Sequence, residues 1–207
     1  MPIKIAVVLR YKDDLLDNGL TTVDEHNKIF AKKGKVWFGK FGLPINNTTL
    51  RLSSEPNVEA YLILVRAKRS HKDTGQKLFI ARCLEAQNKS PRLDLIPSYY
   101  RKHTELSTWF CLTSQIKPLK MAEAQTWIIA SSGDALLRAV QKCPRTFFLV
   151  TKKSDAKRLQ AMLPNLHRKD EQHNGGKAKR VVRPAKPFAD DDNSFEESVD
   201  TFNEAPY

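Results

Sequence analysis

The 207-residue chain carries 35 Lys and Arg against 23 Asp and Glu, a formal net charge of +12, with 41% hydrophobic residues. That is enough for one domain with extensions, or two very small ones, and no run approaches the roughly eighteen consecutive apolar residues of a membrane-spanning helix. Cys83, Cys111 and Cys143 are odd in number and lack CxxC spacing, so they read as reduced, mostly buried thiols of a cytoplasmic protein, not a disulfide framework or a zinc site.

Residues 3–10 form a short apolar strand, too brief and too interrupted by Lys4 for a signal peptide. Thr22-Val23-Asp24-Glu25 predicts a capping box, with Thr22 as N-cap and a helix running to Lys33 that Gly34 stops. Lys28, Lys32 and Lys33 fall in its later turns. They suit a phosphate-facing patch and equally the negative end of the helix dipole.

Residues 35–41 then predict a strand with Val36 and Phe38 on one face and Lys35, Trp37 and Lys40 on the other, Gly39 disturbing the register. A Trp on a lysine-bearing face is expected to be partly wet, a flat π surface offered to a polyanion. The competing reading makes Trp37 and Trp109 ordinary core residues. Residues 42–58 read as loop. Tyr61–Arg66, apolar on both faces, predicts a deeply placed strand, and Lys77–Ala86 its hairpin partner, across a basic tip that includes Lys68, Arg69 and Lys72. Residues 87–97 are irregular, and Tyr99-Tyr100 follow in a short turn. Strands are predicted at 108–116, 126–130 and 146–150, and helices after Asp134 and after Ser154, the last stopped by Pro164.

From about residue 165 the apolar periodicity stops, so the chain divides into a folded body, 1–164, and a disordered tail, 165–207. Charge is unevenly spread. Residues 167–187 hold seven bases and two acids, residues 188–207 hold seven acids and no base, and residues 1–166 carry +14. Such a body attracts phosphate backbones or acidic partners. The acidic segment also spaces Phe188, Phe195, Phe202 and Tyr207 among its acids. That pattern fits docking on a basic groove, a protein partner, or plain solubilisation.

No pattern for catalysis emerges. Ser131-Ser132-Gly133-Asp134 lacks the lysine of a phosphate-binding loop, and the five histidines show no metal-ligand spacing. We therefore expect no enzyme activity, no metal and no cofactor. The binding reading has more behind it. Trp37, Trp109 and one of Tyr99 or Tyr100 are candidate walls for a single extruded base, and Lys35, Lys40, Arg101 and Lys102 candidates for the flanking phosphates. Replacing either Trp by Ala is expected to weaken binding while the fold survives.

The order of these stretches carries a resemblance. Gly34-Lys35-Val36-Trp37-Phe38-Gly39-Lys40, the strand 77–86, Ile96-Pro97-Ser98-Tyr99-Tyr100 and Thr108-Trp109-Phe110-Cys111-Leu112 resemble the PUA-like superfamily, nearest its EVE and YTH-like branches, over about residues 30–120. The resemblance implies an α+β fold built on a small twisted β-barrel with short flanking helices. It also implies binding of DNA or RNA, often through an aromatic pocket for a modified base. The strand and helix before Trp37 and the elements after Leu119 exceed a minimal domain of that type. The expectation is a nucleic-acid-binding protein with no membrane association. The alternatives are a sequence-tolerant single-strand binder with a self-masking acidic tail, and a regulatory factor that meets an acidic protein through its basic face.

Overall fold

The computed structural model describes residues 1–11, 20–66, 77–103, 105–142 and 147–164, all within one compact unit, Met1–Gly175. The basic hairpin tip, Cys143 and the tail lie outside the described residues.

The architecture is one mixed sheet of eight strands with short helices against it. The strands are β1 (Ile3–Tyr11), β2 (Val36–Phe41), β3 (Val58–Arg66), β4 (Leu78–Gln87), β5 (Leu106–Leu112), β6 (Lys117–Pro118), β7 (Trp127–Ile129) and β8 (Phe147–Lys152). The order is β2-β5-β4-β3-β1-β8-β7, with β6 paired to β4. Among the described strands only β1 and β3 run parallel. Their connection carries α1 (Thr22–Lys33), β2 and α2 (Asn47–Leu52). The nearly unbroken apolar runs of β1 and β3 are explained by this central position, since both faces of each are covered.

Two apolar layers result. On one face, Ile5, Val7 and Leu9 of β1 join Val36 and Phe38 of β2, Leu62 and Leu64 of β3, and Phe110 and Leu112 of β5. Residues from strands far apart in the order meet here because the sheet is strongly curled. β4 supplies the bend. Its register with β5 shifts between Cys83 and Glu85, and this bulge leaves Leu84 60% exposed. On the other face Ala6, Val8, Ile63 and Val65 pack against Trp127, Leu136 and Val140, under α3 (Met121–Ala124) and α4 (Leu136–Lys142).

The curl stops short of a closed barrel. Among the described strands β2 pairs only with β5 and β7 only with β8, apart from an isolated bridge between Ile128 and Ala135. The sheet is curled, and these pairings do not close it into the expected barrel. The tail end of the body adds a 3₁₀ turn, Lys153–Asp155, and a helix over 156–164, α5. Leu159 of α5 is buried in the first layer.

Several local expectations shift. The first helix starts one residue earlier than predicted. Thr21 is its N-cap, with its hydroxyl accepting from the Asp24 amide at 3.2 Å while Asp24 Oδ2 accepts from the Thr21 amide at 3.2 Å. The shift leaves Glu25 and His26 free to turn inward, and both are buried. Gly34 ends α1 in the left-handed conformation, φ +71°. Asn27 then fixes α1 across the sheet: its amide donates to the Ile116 carbonyl at 2.9 Å and its Oδ1 accepts from the Ile116 amide at 2.8 Å. Residues 42–58, read as loop, hold α2, capped by Asn46. Its six residues are too few for the apolar periodicity to reveal it.

Candidate functional site

The β2–β5 ladder carries the predicted aromatic stretches and places them as strand neighbours. Trp37 pairs with Cys111, Phe38 with Phe110, and Gly39 with Trp109. Alternation along β2 sends Val36 and Phe38 into the first apolar layer and Trp37 to the opposite face, as the sequence pattern predicts. What covers that opposite face differs from the expectation. Segment 93–102, two 3₁₀ turns over Leu93–Leu95 and Ser98–Lys102, lies against it. Leu95, Ile96 and Tyr100 pack onto Trp37, Trp109 and Cys111.

Trp37 is therefore 6% exposed and Trp109 3%. The partly wet Trp face is not found, because an irregular stretch supplies its apolar lid. The structure does bring Trp37, Trp109 and Tyr100 together. Tyr100 stands edge-on to Trp109 at 5.5 Å and its hydroxyl donates to the Gly39 carbonyl at 3.3 Å. Tyr99 is half-buried beside it, ring centroids 4.4 Å apart.

The predicted cations divide. Lys35 and Arg101 are exposed. Lys40 is buried, and its ammonium donates to the carbonyls of Phe41, at 3.1 Å, and Leu43. Burial lowers its pKa. Lys40 thus holds its own turn through these carbonyls. Lys102 lies in the second 3₁₀ turn, but its side chain is outside the described set.

The first turns of α1 close the other side of the cluster. His26 is fully buried and stacks on Phe38 at 4.7 Å, edge-on to Tyr100 at 5.6 Å. Its Nδ1 lies 2.7 Å from the Thr22 carbonyl, so Nδ1–H donates. Burial pushes its pKa down to about 4, against the carbonyls of Thr22 and Trp37, which favour the protonated ring. Ser98 donates to Glu25 Oε1 at 3.3 Å, tying α1 to the second 3₁₀ turn. From sequence Glu25 was read as the capping partner of Thr22, and His26 was given no role. The Thr21-x-x-Asp24 spacing, equally present in the sequence, is the signal that places both one position further into the helix.

Outside this layer the surface is basic. Lys28, Lys32, Lys33 and Lys35 from α1 and its C-terminal turn, with Arg92 and Arg101 from the covering segment, are all exposed. The two elements are joined by Asp94, which pairs with Lys33 at 3.6 Å and with Arg92 at 3.2 Å. Arg101 also donates to the Leu93 carbonyl at 3.2 Å. Ion pairs this exposed contribute little stability. Their consequence is geometric: Asp94 draws a cation of α1 and one of the covering segment together.

A family model described as Pua-like matches residues 7–138, more than half of the chain. The chain belongs to the Pua-like family. The match begins within β1 and ends within α4, so the strand and helix before Trp37 and the β7–α4 unit lie inside the Pua-like region. No curated protein and no solved structure gives a significant match. Among the described residues, no cluster of three or more His, Cys, Asp or Glu is placed to hold a metal ion, and no helix is long and apolar enough to cross a membrane.

Proposed function

We propose that this Pua-like protein is a cytoplasmic, non-enzymatic nucleic-acid-binding protein that meets DNA or RNA with the surface formed by α1 and segment 92–101. The observation that carries the reading is the set of exposed cations Lys28, Lys32, Lys33, Lys35, Arg92 and Arg101, against the exposed acids Asp24 and Asp94 on the same two elements. A phosphate backbone gains from such a surface by releasing its condensed counterions. Directly beneath lie Trp37, Tyr100 and Trp109. In the finer form of the proposal this cluster receives a modified or flipped base. The covering segment must then move, because Leu95 and Ile96 occupy the face of the cluster.

The test is a fluorescence-anisotropy titration against modified, unmodified and single-stranded oligonucleotides. Log affinity should fall linearly with log salt, by about 0.7 to 0.9 per phosphate contact. Lys32→Ala with Lys33→Ala should reduce that slope by one to two such steps. A flat salt dependence would overturn the electrostatic mode. Equal affinity for modified and unmodified oligonucleotides would remove the base-pocket form alone.

A further inference from the structure

The turn that leaves β2 holds two large apolar side chains out of the fold. Phe41 is 37% exposed and Leu43 85%. Single exposed apolar residues are common, but this turn is clamped on both sides. Within it, the buried Lys40 ammonium donates to the carbonyls of residues 41 and 43, and Gly42 takes φ +81°, a left-handed position that suits glycine. Beyond it, the Ile45 amide donates to Thr108 Oγ1 at 3.0 Å. The Ile45 carbonyl accepts from Asn88 at 3.3 Å, and the Thr108 hydroxyl donates to Asn88 Oδ1 at 2.7 Å. Desolvating an ammonium costs free energy. Here that ammonium fixes a turn that leaves Leu43 in solvent and Phe41 only partly covered.

The direction of the Phe41 ring is also set. It meets His103 edge-on at 5.2 Å and Tyr100 at 6.4 Å, tilted by 57°. The same 3₁₀ turn that supplies Tyr100 presents Arg101 to solvent. A fixed aromatic surface, a neighbouring aliphatic tip and an adjacent cation suit a ligand that alternates flat π faces with phosphates.

We infer that Phe41 and Leu43 form a stacking platform for an unpaired base, with Arg101 on the phosphate beside it. This rests on the nucleic-acid reading above and adds the residues that touch the base. It differs from the buried cluster in needing no movement of the cover. The body's net charge of +14, with the exposed Arg101 next in sequence to Tyr100, favours a nucleic acid over an apolar protein segment as the occupant, although Glu105, paired with His103 at 3.3 Å, places one acid on this side.

The test uses the full chain and a short single-stranded oligonucleotide carrying a fluorescent adenine analogue, whose emission is quenched when it stacks. The parent should bind and quench. Phe41→Ser combined with Leu43→Ser should lose the quench and bind about tenfold more weakly, with an unchanged salt slope, since no charge is removed. Phe41→Trp should keep the quench. Leu43 is 85% exposed, so Leu43→Ser alone should keep the parent thermal midpoint. Phe41 is 37% exposed and touches His103 and Tyr100, so the double variant should melt somewhat lower and its binding is compared well below that midpoint. If the double Ser variant binds and quenches like the parent while Lys32→Ala with Lys33→Ala binds less well, the platform is refuted and the interface survives. If the parent binds no oligonucleotide, both fall, and an apolar protein segment becomes the better occupant of the turn.

Discussion

Trp109 lies over its strand partner Gly39 so closely that a methyl group on residue 39 would stand 3.0 Å from the indole Cζ3 and 2.9 Å from Leu106 Cδ2. The absent side chain is the seat of the ring. Gly39→Ala is expected to destabilise the fold by about 1–3 kcal/mol, through overpacking and not through backbone strain. Urea unfolding reads this directly, and an unchanged midpoint would show that the layer can spread. Trp37→Ala and Trp109→Ala are expected to cost about 3–5 kcal/mol each. Weaker binding by those variants would therefore report a damaged fold before it reported a lost base contact, contrary to the expectation that the fold would survive.

The burial of His26 couples stability to pH. An unfolded chain protonates this ring near its ordinary pKa of 6.5, whereas the folded chain holds it neutral down to about 4. Between these values the unfolded state binds the extra proton. Stability is thus complete above about 6.5 and falls as pH drops toward 4, by up to about 3 kcal/mol from this residue. His26→Gln keeps a donor for the Thr22 carbonyl and removes the titration. Its stability difference from the parent should shrink on acidification. A difference constant across this window would mean that His26 does not couple folding to pH.

Cys83 and Cys111 sit on adjacent strands and are both buried. Burial raises both thiol pKa values. The neighbouring Cys111 adds to the effect on Cys83; for Cys111, Glu85 adds while Lys35 opposes. In a Cys143→Ser background, both thiols should react with a soluble disulfide reagent on the order of a hundredfold more slowly in the native protein than in denaturant. Comparable rates would place them in contact with solvent.

The tail prediction rests on charge alone. Residues 188–207 hold seven acids and no base, and are tethered to a body of net charge +14. Covalent attachment makes any such pairing intramolecular, at an effective concentration on the order of millimolar. Deleting 188–207 should raise affinity for unmodified nucleic acid, most visibly at low salt, where exposed charges are least screened. Equal affinities of the full-length and truncated chains at low salt would leave the tail as a solubiliser or a docking segment for another protein.

Alternation of residue type fixes which face of a strand a side chain takes. For that reason Val36 and Phe38 were separable from Trp37 in the sequence, and the two-faced apolar run at Tyr61–Arg66 announced a deeply placed strand. Charge is likewise a property of composition, so the basic body and the acidic segment needed no coordinates. Burial is not such a property, because it depends on what arrives from elsewhere in the chain. Trp37 and Trp109 are dry because Leu95, Ile96 and Tyr100, from a stretch with no periodicity, fold over them. Lys40, a cation in the sequence, is a buried clamp because carbonyls 41 and 43 curl back onto it. His26 and Glu25 turn inward in a helix that Thr22 begins and Thr21 caps, one position before the cap that the sequence pattern suggested. Barrel or open sheet was settled by the pairing of the end strands, a contact between residues too distant in sequence for any local pattern to encode.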